Sequence, residues 1–80
     1  MENLEKYKNA FMEAFDVKES QLVGLKYQDV AEWDSVGHMG LMSDLEEAFE
    51  IEMDIDDIID FSSFEKGMEI LGKYNVVIDG

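Results

Sequence analysis

The sequence predicts a small all-α fold, a four-helix bundle of three main helices and one short helix with a long loop between the first two. Three observations predict it. Apolar residues recur at spacings of three and four in separate stretches, the period of a helix with one buried face. Capping residues stand where those stretches begin. The chain has 80 residues, 46% of them apolar, which is enough for one hydrophobic core and too short for two. Proline is absent and no Gly/Ser linker or repeat is visible, so residues 1–80 read as one domain.

The first helix is predicted by the stripe Leu4, Tyr7, Phe11 and Phe15. The period is then lost over 16–34, where Val17, Leu22, Val23, Leu25, Tyr27 and Val30 are scattered among polar residues. That stretch reads as a long ordered loop, and such loops in small domains usually serve function. The second helix is predicted by Val36, Met39, Met42, Leu45 and Phe49, with Asp34 or Ser35 as its cap and Asp44, Glu46, Glu47 and Glu50 largely on the other side. Ile51, Met53 and Ile55 alternate, and Ile58, Ile59 and Phe61 follow, which predicts a connector with one or two helical turns. The last helix opens at Ser62-Ser63-Phe64-Glu65, a capping box of the S-x-x-E kind, with Phe64, Met68, Leu71 and Tyr74 as its stripe.

Charge excludes several functions. Twenty acids face six lysines, for a net charge of −14. Thirteen of the acids and no base fall within residues 27–65. Such a surface repels nucleic acid and anionic membrane, and its partners are expected to carry basic patches. There is no cysteine, hence no disulfide framework, thiolate metal site or thiol nucleophile. No stretch approaches 18 apolar residues and the first residues lack the parts of a signal peptide, so the cytoplasm and a monomer are expected.

Two kinds of chemistry fit the residues poorly. A calcium loop starting at Asp54 finds Asp56, Asp60 and Glu65 in place, but Ile58 stands at a ligand position and Ile59 where the turn glycine belongs. Ser35 and His38 share a helix face, yet a Ser–His relay also needs an orienting third group and an enclosed pocket. His38 is expected at a surface or interface, and the chain is not expected to be an enzyme.

The informative stretch is Trp33 to Phe49, WDSVGHMGLMSDLEEAF. Asp34-Ser35-Val36 at a helix start, Leu41 and Met42 on the apolar side, and Leu45-Glu46-Glu47 with Phe49 at the helix end resemble the acyl carrier protein family. The likeness covers the chain in length and helix order, with the motif confined to this segment. It implies that Ser35 is esterified by the phosphate of 4′-phosphopantetheine, transferred from coenzyme A by a separate magnesium-dependent phosphopantetheinyl transferase. The arm's thiol would then hold acyl groups as thioesters for enzymes of fatty acid, polyketide or related biosynthesis. The residues agree with this. A helix start offers free N–H groups and a positive dipole end to a phosphodiester, and a carrier without cysteine must borrow its thiol.

The resemblance also implies that Asp34, Val36, Met39, Glu46 and Glu47 meet the basic and apolar patches of partner enzymes. An acyl chain sheltered between the helices would be lined by Met39, Met42, Leu45, Ile59, Phe64 and Met68, unless these six only fill the core. Gly37 and Gly40 depart from the family's pattern, while Trp33 and His38 look more like a stand-alone carrier of a specialised pathway. An aminoacyl or peptidyl carrier remains an alternative, and so does an acidic helical interaction or calcium-binding module.

Overall fold

Four α-helices form in the predicted order: α1 (Asn3–Phe15), α2 (Ser35–Phe49), α3 (Ile55–Asp60) and α4 (Phe64–Gly72), in a computed structural model that describes residues 2–78. α1 buries Tyr7, Ala10, Phe11 and Phe15, with Leu4 half-buried at the edge of the stripe. It stops where Asp16 adopts the left-handed conformation at φ 53°, which short polar side chains tolerate. Phe11 is the centre of the core. Its ring lies 5.0 Å from Tyr7, 5.2 Å from Phe64 and 5.5 Å from Trp33, each at a steep angle that suits the ring quadrupoles.

The long loop is ordered because it supplies its own core anchors. Val17, Leu22, Leu25 and Trp33 are all buried. Near its start the chain makes a single 3-10 turn at Glu19–Gln21, which the scattered apolar pattern did not reveal. Gly24, at φ 81°, turns the chain so that its N–H reaches the Glu65 carboxylate at 3.0 Å. The loop then pairs briefly with the segment before α4: the Tyr27 N–H donates to the Ser62 carbonyl at 2.9 Å and the Phe64 N–H to the Leu25 carbonyl at 2.8 Å.

α2 is rotated relative to its predicted stripe. Leu41, Met42 and Leu45 are buried, but Val36 is 81% and Met39 52% exposed. In the first turn it is His38 that faces inward, so the inner line runs through 38, 41, 42, 45 and 49. The bond from the Trp33 indole to His38 accounts for this, since it sets which side of the first turn meets the loop. At the other end, Glu50 turns left-handed at φ 54° and the Ile51 N–H closes on the Glu46 carbonyl at 3.0 Å.

α3 is anchored by a residue that no hydrophobic pattern marks. Asp57 is only 6% exposed and accepts from Lys73 Nζ at 2.7 Å and Tyr74 Oη at 2.5 Å. The Tyr74 hydroxyl in turn accepts from the Asp54 N–H at 2.9 Å, capping the start of α3. α4 differs from expectation in its cap. Ser63, not Ser62, is the N-cap and accepts from the Lys66 N–H at 2.9 Å. Glu65 is therefore not part of a capping box, being engaged by Gly24 across the fold. Gly67 is buried where a Cβ would strike the Phe61 ring and the Tyr7 hydroxyl, so the close approach of α4 to α1 depends on it.

Candidate functional site

Ser35 is the first residue of α2, and Asp34 holds the capping role beside it. The Asp34 carboxylate accepts from the Gly37 N–H at 2.8 Å, and its carbonyl accepts from the His38 N–H at 2.8 Å. Ser35 is exposed and is thereby free of the cap. Gly37 makes this turn possible, because a Cβ there would run into the carbonyl oxygen of Glu32. The end of the loop thus lies directly against the first turn of α2.

Beside Ser35 a cavity of about 320 Å³ opens between α2 and α3. Met39, Ile55, Ile58 and Ile59 form its apolar walls, His38 and Phe61 its inner side, and Tyr27 and Ser62 its remaining edge. Ile55 and Ile59, 66% and 71% exposed, stand one helical turn apart on α3. With Val36 and Met39 they give the surroundings of Ser35 an apolar character on a chain otherwise crowded with acids.

His38 lies at the cavity wall, neither fully exposed nor fully buried. Its Nδ1 accepts from Trp33 Nε1 at 2.9 Å and its Nε2 lies 2.7 Å from the Ile58 carbonyl. An indole N–H can only donate and a carbonyl only accept, so the ring proton resides on Nε2. Both nitrogens are committed, which leaves neither to activate the Ser35 hydroxyl. The Ser35 hydroxyl is thus exposed beside an imidazole that is bonded elsewhere.

The other predicted site residues separate into three groups. Asp34, Val36 and Met39 surround Ser35. Glu46 has a structural task instead, its carboxylate accepting from the Met53 N–H at 2.8 Å and so bracing the connector into α3. Glu47, twelve residues along α2 and hence about 18 Å from Ser35, borders an open groove against α1 with Lys6, Glu13 and Asp44. Of the six residues expected to line a sheltered chain, Met39 and Ile59 line the cavity. Met42, Leu45 and Phe64 are fully packed in the core, and Met68 is half-buried against it.

Tyr27, His38, Ile55, Ile58, Phe61 and Ser62 were not anticipated there. The spacing of Ile55, Ile58 and Ile59 carries the signal of a shared helix face. It is masked by the alternation of Ile51, Met53 and Ile55 that runs into it.

The electrostatics of the wall follow from Asp57. Its bonds to Lys73 and Tyr74 hold its carboxyl below the usual aspartate range, while Lys73 is pushed above the ordinary lysine value by the same bond. The carboxylate is covered by its two donors more than by depth. In the core, burial raises the Tyr7 phenol, which donates to the Phe64 carbonyl at 2.6 Å and stays protonated. The residues of the calcium-loop alternative are otherwise arranged: 55–60 is helical and Glu65 serves Gly24. Among the described residues, no group of three or more His, Asp or Glu side chains is placed to hold a metal ion. No described helix is long and apolar enough to cross a membrane. Compared with protein-family models, with curated proteins and with solved structures, the chain finds no match.

Proposed function

We propose that the protein is a carrier whose Ser35 hydroxyl takes a 4′-phosphopantetheine arm and whose cargo is an acyl group. The observation that carries the reading is the placement of Ser35: exposed, relieved of capping by Asp34, and at the mouth of an apolar cavity. A serine that merely started a helix would serve as its cap and need no cavity. The surroundings fit the group. The exposed first turn accommodates a phosphodiester and directs its positive dipole end toward it. The Asp34 carboxylate, which would repel a phosphate, is turned to the Gly37 N–H.

The chain's own part in loading is limited and specific. Ser35 Oγ forms the new P–O bond as the pyrophosphate bond of coenzyme A breaks and adenosine 3′,5′-bisphosphate leaves. Its proton goes to a base of the transferase, since His38 has no free nitrogen to receive it. The acids of residues 27–65 draw in enzymes with basic patches. Once attached, the arm supplies a thiol that bears acyl groups as thioesters. The cavity then offers Met39, Ile55, Ile58 and Ile59 to an apolar cargo, which favours acyl over aminoacyl cargo.

Intact mass after incubation with coenzyme A, magnesium and a broad-specificity phosphopantetheinyl transferase tests the reading. One arm is expected on the wild type, none on Ser35→Ala, and that variant keeps its helical signal. Modification at Ser20, Ser43, Ser62 or Ser63 overturns the assignment. So does an unmodified wild type under conditions that load another carrier.

A further inference from the structure

The inner side of the cavity contains an imidazole whose bonding capacity is fully used. Trp33 Nε1–H fixes His38 Nδ1 as an acceptor at 2.9 Å, and Nε2 donates the ring proton to the Ile58 carbonyl at 2.7 Å. One neutral tautomer therefore links the buried loop tryptophan to the backbone of α3. The Trp33 ring lies nearly parallel to it at 6.2 Å, while Tyr27 and Phe61 meet it at steep angles at 5.6 and 6.1 Å. Tyr27 is the one other titratable side chain of the cavity. The nearest carboxylates in sequence point to other partners, Asp34 to Gly37 and Asp57 to Lys73 and Tyr74, while Asp56 and Asp60 on α3 are exposed.

We propose that His38 is a proton-responsive pin that holds the α3 wall of the cavity while neutral and releases it when protonated. A proton added at Nδ1 turns an acceptor into a donor facing the Trp33 N–H. The indole is fully buried and has no water to turn to, so the two donors cannot stay opposed. The imidazolium is relieved by swinging to the open side of the cavity, where a chain of net charge −14 favours a cation. The Ile58 bond is given up in that movement. α3 has six residues with Asp57 alone among them buried, so it keeps the Lys73 and Tyr74 attachment and the partial packing of Ile58, and opens more often. The pin needs no arm on Ser35 and goes beyond the carrier reading.

The test is a nuclear magnetic resonance titration of the unmodified wild type from pH 8 to 5. Imidazole nitrogen shifts are expected to show the Nε2–H tautomer at pH 8. The Trp33 indole resonance and the amide exchange of Ile58 and Ile59 should then change with the midpoint of His38, exchange rising several-fold beyond its intrinsic pH dependence. His38→Gln supplies the conservative control, because a carboxamide accepts from Trp33 and donates to Ile58 without titrating. Its exchange should stay slow and free of that transition. An Nδ1–H tautomer at pH 8, an indole and exchange unmoved through the His38 titration, or a transition that persists in His38→Gln each overturns the proposal. The wild-type titration decides even where the variant does not fold.

Discussion

Gly37 and Gly40 lie three residues apart in α2 and are there for different reasons. A Cβ at 37 would strike the Glu32 carbonyl, whereas at 40 it meets nothing within 4 Å. Gly40→Ala should therefore stabilise the fold by about 1 kcal/mol, the helix-propensity difference between the two residues. Gly37→Ala should destabilise it by roughly 1–3 kcal/mol, as overpacking does. Urea unfolding of both variants checks the pair, and equal shifts would refute the close approach at Glu32. Read from sequence, the two glycines were indistinguishable, since each simply interrupts a helix. A short motif singles out Ser35 in the sequence, while nothing local singles out the bonding of His38. Its role depends on Trp33, five residues before it, and on Ile58, twenty residues after it, and no local pattern encodes the second.

Helices were legible where a periodic stripe faces the core and less so where polar bonds set the geometry. α1 follows its stripe, and the first turn of α2 departs from it because an indole bond decides the rotation. α3 is the extreme case, a helix fastened by Asp57 with Ile55 and Ile59 outward. That fastening makes a pH prediction. Asp57 ionises more readily folded than unfolded, so its contribution is fully present above the ordinary aspartate value near 4 and is lost as pH falls through its depressed folded value. Lys73 behaves oppositely, its contribution fading only as pH rises beyond the ordinary lysine range. Asp57→Asn should thus be less stable than wild type at pH 7, with the gap narrowing steadily between pH 5 and 3. Paired urea melts at several pH values measure it. A gap independent of pH would mean that the ion pair does not hold α3.

Over the whole molecule, the carrier reading makes the acids of residues 27–65, thirteen with no base among them, the feature that would steer a basic enzyme. Glu46 and Asp34 are poor probes of this, one bracing Met53 and the other capping α2. Glu32, Asp56 and Asp60 are exposed without such duties. Changing these three to Lys should slow transferase modification by about tenfold or more at low salt, within the range of electrostatic steering. The same change at Glu2, Glu5 and Glu13 should do less, and 0.5 M salt should narrow the difference. Rates that fall equally for the two triples would assign the effect to net charge alone. A last feature concerns the two ends of the described chain, where the Asn3 side-chain amide donates to the Val77 carbonyl at 3.1 Å. Two segments 74 residues apart in sequence thus close the fold into a near-ring. A circular permutant, joined through a short flexible linker across these ends and reopened beside the 83%-exposed Val23, should fold and retain a modifiable Ser35. The order in which the helices leave the ribosome would then be a property of the gene and not a requirement of the architecture.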